Sequence, residues 1–151
     1  MNLLNLSKFF NAIPPAAIKD DAAFASRVID RADFMPSDAK GVLFIVQLGA
    51  TDIAAAVLRV QESDTQSDAT TLGGTPATIK DVTTKPGADD DNGLFGVYIN
   101  AEEWQERYLQ IQATAGDGSA GTFLTALAIA DHPGNNEVTA AGLGLTSLEI
   151  E

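Results

Sequence analysis

The 151-residue sequence predicts an all-β fold, an antiparallel sandwich that could take the jelly-roll form, preceded by an extended N-terminal arm. Three observations predict it. Short runs rich in β-branched and aromatic residues recur along the chain, and Gly-, Asp- and Ser-rich turns separate them. No long helical periodicity appears, and strands do not alternate with helices as they would around a parallel sheet. No internal repeat is present at a fixed period.

Residues 1–20 read as the arm, because Leu3, Leu4, Leu6, Phe9 and Phe10 form an apolar cluster that Ile13-Pro14-Pro15 cuts off. The remaining residues, 21–151, form one domain, the usual outcome for a chain of this length. Between 22 and 33 the only large apolar residues are Phe24, Val28 and Ile29, and this stretch is read as a strand. Residues 42–48, Val-Leu-Phe-Ile-Val-Gln-Leu, are apolar on both faces and too few for an ordinary helix, which predicts a buried strand. Gly49 to Asp52 supply a turn, and 53–62 read as the next strand, although Ala54-Ala55-Ala56 would also suit a helix.

Residues 63–76 lack apolar periodicity and read as a hydrated loop. A short strand over 78–83 and a long turn over 85–93 lead into a strand at 94–99. Residues 101–106 suit a single helical turn capped by Asn100. Next comes the clearest pattern in the chain: Leu109, Ile111 and Ala113 alternate with polar residues, a Gly-rich connection follows, and 122–129 is apolar again. That predicts a β-hairpin whose second strand turns Phe123, Leu127 and Ile129 to the core. The C-terminal residues 137–151 read as a last strand or a tail reaching a neighbour.

Composition narrows the function classes. Nine Lys plus Arg against twenty-one Asp plus Glu give a formal charge of −12, which repels phosphate backbones and anionic lipids, so neither nucleic acid nor membrane is an expected partner. The absence of cysteine removes disulfides and thiolate metal sites. No run approaches the ~18 apolar residues of a spanning helix, and the N-terminus lacks the pattern of a secretory signal, so synthesis in a cytoplasm is expected.

No constellation of residues suggests catalysis, and no cofactor or metal is expected. The single histidine, His132, precedes Pro133 in a turn-like context. Asp89-Asp90-Asp91-Asn92-Gly93 could offer oxygen ligands to a hard cation, but lacks the spacing of an EF-hand and reads more simply as a turn. Trp104, Tyr98 and Tyr108 could form a stacking platform for sugars, or Trp104 could cover one end of the sandwich. The remaining candidates are the arm residues Leu3, Leu4, Leu6, Phe9, Phe10 and Ile13, which are costly to leave in water. They could fold back on the sandwich or dock on another subunit.

The arm blocks Leu3-Leu4-Asn5-Leu6-Ser7-Lys8 and Ile13-Pro14-Pro15-Ala16-Ala17-Ile18 resemble a family of small tailed-phage virion proteins, the capsid decoration or cement proteins. So do residues 48–54 and 60–64, Arg107-Tyr108-Leu109 and 113–118. The resemblance covers most of the chain as far as Ile129 and carries no catalytic signature. It implies a non-enzymatic virion subunit, often a homotrimer, on the outer capsid surface, where it would bridge and stabilise neighbouring major capsid proteins. A head-fibre or tail accessory subunit and a carbohydrate-binding β-sandwich module are the alternatives.

Overall fold

The computed structural model describes residues 8–35, 39–131 and 147–150. The protein is an all-β sandwich. One sheet has five strands in the order β1 (Phe9–Ile13), β10 (Thr122–Asp131), β3 (Gly41–Thr51), β8 (Leu94–Asn100) and β11 (Ser147–Ile150). The other has four, in the order β2 (Ile29–Asp30), β9 (Tyr108–Thr114), β4 (Val57–Ser63) and β7 (Ala77–Asp81). A small ribbon of β5 (Gln66–Asp68) and β6 (Thr71–Leu72) rises from the loop between β4 and β7. The helix α1 (Arg31–Phe34) is a single turn, started by Asp30, whose Oδ1 accepts from the Ala32 amide.

The strand order is that of a jelly roll. Four antiparallel pairs nest inside one another along the chain, β1 with β10, β2 with β9, β3 with β8 and β4 with β7. Successive pairs alternate between the sheets, and β10·β3 and β9·β4 pairing closes each one. The strand β11 lies outside this scheme and pairs with β8 in parallel.

Residues 42, 44, 46 and 48 of β3 are buried, as are Leu109, Ile111 and Ala113 of β9 and Leu58 and Val60 of β4. These alternate positions put one face of each strand into a shared apolar layer.

Several expectations change. The consecutive strands β9 and β10 do not form a hairpin: β9 pairs with β2 and β4, and β10 with β1 and β3. Residues 115–121 instead arch from one sheet to the other. Gly121 allows the end of that arch, since its φ of +76° is a conformation L side chains rarely adopt and a Cβ there would lie 2.5 Å from the Lys19 carbonyl oxygen.

The facing of β10 is also reversed. Leu124, Ala126, Ala128 and Ala130 are buried, whereas Leu127 is 38% exposed and Phe123 and Ile129 are half-buried. The core beside β10 already holds Phe44, Ile13, Phe24 and Phe34, so small side chains fit a close-packed layer there.

The strand expected over 22–33 reduces to Ile29–Asp30 followed by α1. The stretch before it runs between the sheets, through bridges Lys19↔Thr122 and Ala23↔Thr114. The turn expected at 49–52 is still strand to Thr51, and β4 begins at Val57 rather than 53. Residues 101–103 form the expected turn, with Asn100 Oδ1 accepting from the Glu102 amide at 3.1 Å.

Candidate functional site

The segment read as an arm belongs to the sheet from Phe9 onward. Phe9–Ile13 is the edge strand β1, and Ile13 is fully buried in the core. Phe10 packs edge-on against Phe34, with ring centroids 6.1 Å apart. The double proline then has a simple role: it ends an edge strand, where missing N–H groups cost no ladder bond. Phe9 alone of these three is exposed, at 46%. Leu3, Leu4 and Leu6 lie outside the described residues, as does His132.

The acids of the turn are occupied with backbone amides, one of the turn itself and one of β3. Asp90 Oδ2 accepts from the Gly87 amide at 2.7 Å, and Asp91 Oδ1 accepts from the Thr51 amide at 2.8 Å. Asn92 takes the positive φ, +61°, that such a turn demands. Among the described residues no group of three or more His, Asp or Glu side chains is placed to hold a metal ion.

The end of the sandwich at the 115–121 arch has the same character. Asp52 Oδ2 accepts from the amides of Ser119 and Ala120, and Asp20 Oδ1 accepts from Gly118 at 2.8 Å. The Ala120 and Ser119 amides hold the Asp52 carboxyl below the usual carboxylate range. Thr51 and Thr122 share a buried hydroxyl contact of 2.8 Å that ties the arch to the sheet.

At the opposite end, Arg107 pairs with Asp30 at 2.8 Å and lies 5.0 Å from the Tyr108 ring centroid. Its hydrogen bond lowers the Asp30 pKa. Glu62 turns its Oε2 to the amides of Gln105 and Glu106, at 2.9 and 3.1 Å, and so fixes the chain after Trp104. Glu106 hydrogen-bonds Asp64, and that bond, with desolvation and the nearby charges of Asp64 and Glu62, raises its pKa.

Trp104 is completely buried, its ring in the core cluster and the Arg31 guanidinium 5.5 Å from the ring centroid. A sugar platform built on its face is therefore excluded. Covering the core at one end was the sounder reading of that residue.

The two outer sheet faces differ sharply. On the four-stranded sheet an amide ladder runs across β4 and β9. Arg59 donates to Gln112 Oε1 at 3.0 and 3.1 Å, Gln112 to Gln110 Oε1 at 3.4 Å, and Gln110 to Ser26 Oγ and the Thr70 carbonyl at 2.9 and 2.7 Å. Residues 23–26, 70–72 and Pro76 wall the Gln110 and Gln112 part of this ladder into an open groove of about 530 Å³, whose described lining carries no charge.

On the outer face of the five-stranded sheet the described rows are mainly apolar. Cross-strand register sets Phe9, Ile129, Leu43 and Tyr98 in one row. The next row is Asn11, Leu127, Ile45 and Gly96, and the third is Thr125, Gln47 and Leu94. None of these positions carries a charge. The sequence signal for this face lies in the large residues of 122–129, whose apolar character equally suits the core.

The chain matches no family model, no curated protein and no solved structure.

Proposed function

We propose that the protein is a non-enzymatic structural subunit of a tailed-phage virion, a decoration or cement protein of the outer capsid surface. The observation that carries the proposal is the division of the surface. The carboxylates at both ends accept backbone hydrogen bonds, Asp90 within its own turn and Asp91, Glu62 and Asp20 from segments packed beside them, which ties the scaffold together. A largely apolar sheet face, uncharged in its three central rows, is left as the feature suited to association. The resemblance of the strand-and-turn blocks to small virion proteins supplies the capsid context, since a jelly roll alone serves many functions.

In this role the charge of −12 keeps the subunit off packaged nucleic acid. The major capsid protein is the expected partner. Contacts repeated over a symmetric shell act together, so individually weak ones still resist internal pressure. The proposal is tested by mixing purified protein with phage heads that lack it and sedimenting the mixture. Saturable binding to the outer surface is expected; no binding at any ratio contradicts it.

A further inference from the structure

We propose that the groove on the outer face of the four-stranded sheet, floored by Gln110 and Gln112, binds a neutral glycan. The inference goes beyond the structural role and does not depend on it.

The floor is fixed before any ligand arrives. A guanidinium has no acceptor to offer, so the two hydrogen bonds from Arg59 decide which end of the Gln112 carboxamide is oxygen and turn its Nε2 toward Gln110. The Thr70 carbonyl has no donor, and by the same reasoning it fixes Nε2 as the end of Gln110 that reaches Thr70 and Ser26. Gln110 is only 2% exposed, so packing holds its carboxamide as well. The bonds left over are specific. Gln112 Nε2 spends one N–H on Gln110 Oε1 across a long 3.4 Å, and its second has no partner among the described residues. Gln110 Oε1 accepts that one bond and keeps a further lone pair. A donor and an acceptor therefore stand side by side where β9 lines the groove.

The lining selects the ligand. It carries no charge, and a chain of −12, with Asp68 Oδ1 accepting from the Thr70 amide and hydroxyl on the groove's own wall, disfavours an anion. A cation finds no carboxylate in the lining. A purely apolar ligand would strip water from the two carboxamides and leave them unpaired, which is costly. A peptide strand is captured along an open sheet edge, and β9 offers little of one: β4 lies along one side, and residues 22–30 hold the other at Thr114, Ala113 and Leu109. Sugar hydroxyls suit what remains. Each both donates and accepts, so one hydroxyl can give to Gln110 Oε1 while taking from Gln112 Nε2, and the C–H face of a ring can pack on Ala25, Leu72 and Pro76. The volume of about 530 Å³ falls within the roughly 300–1,000 Å³ of small-ligand sites.

The test is saturation-transfer NMR of the full chain with neutral oligosaccharides of glucose, galactose, mannose, rhamnose and N-acetylglucosamine. Sialylated and sulfated oligosaccharides and uncharged peptides are run beside them, each at about 1–10 mM, where weak specific binding is still occupied. Binding of at least one neutral oligosaccharide is expected. Gln112→Glu keeps an oxygen for Arg59 and removes the free N–H, and should weaken that binding at least about tenfold. Ala25→Phe fills the groove from an exposed wall position and should abolish binding; it serves if Gln112→Glu disturbs the ladder. Ile18→Ser, at an exposed position outside the groove, should bind as the wild type does.

Failure of every neutral oligosaccharide to bind overturns the proposal. So does binding confined to the charged glycans or to the peptides, and so does glycan binding that neither groove variant weakens. Gln112→Glu should still sediment with phage heads as the wild type does, so this inference and the virion reading can each fail alone.

Discussion

Replacing Ile13 by alanine measures how far the N-terminal segment belongs to the core. Ile13 has no exposed surface, and β1 joins the five-stranded sheet only through β10. Ile→Ala removes three carbons. At roughly 0.8 kcal/mol each, the lost transfer energy is about 2.4 kcal/mol, and an incompletely collapsed cavity brings the total to about 3–4 kcal/mol. Phe9→Ala, four residues earlier on the same strand, removes a larger side chain from a half-exposed position and should cost only about 1 kcal/mol.

Urea unfolding followed by far-UV circular dichroism, at protein concentrations low enough to suppress association, reads both. With m near 2 kcal/mol/M, Ile13→Ala should lower the midpoint by about 1.5–2 M and Phe9→Ala by about 0.5 M, with m unchanged. Equal small shifts would refute the placement of β1 and restore a detached arm. The same placement predicts that removing residues 1–12 destabilises the sandwich, because the cut takes most of an edge strand with it.

The reversed facing of β10 predicts an inverted order of costs: Ala128→Leu overpacks a filled layer and should cost about 1–3 kcal/mol, while Leu127→Ser should cost under about 1 kcal/mol in chemical denaturation of dilute protein. Glu106→Gln should flatten the pH dependence of stability above pH 4.5. The native pKa of Glu106 is raised above that ordinary value, so the folded chain holds the proton more tightly and stability falls as pH rises through the native pKa. Asp30 has the opposite sign. Arg107 depresses its pKa below 3.8, so its contribution is present above that pH and lost as the medium acidifies through the native value; Arg107→Gln should diminish the loss in an acid titration of the melting temperature.

The sequence revealed the strands better than their partners. β3 was legible because its run of β-branched and aromatic residues is too short for an ordinary helix, although within that run only the alternate residues 42, 44, 46 and 48 are buried, and β9 because strict alternation leaves few other options. The hairpin failed for a topological reason. A jelly roll sends consecutive strands to different sheets, and a Gly-rich connection looks alike whether it returns beside its own strand or arches to the opposite layer.

Side-chain size misled at Phe123, Leu127 and Ile129, since hydrophobicity alone does not say which face of an apolar strand is core when neighbours already supply the bulk. That error also hid the apolar character of the outer face at Phe9 and Leu127. Of the expected arm residues, Ile13 and Phe10 stand in or against the core, and their apolar character gave no way to distinguish a strand that folds back from one that docks elsewhere.

The most direct test of the structural-subunit account is co-sedimentation with phage heads lacking the protein, with the bound heads imaged. The account predicts saturable occupancy of repeated positions on the outer surface and heads more resistant to internal pressure. Free protein left in the supernatant at every ratio, with no density added to the shell, would contradict it.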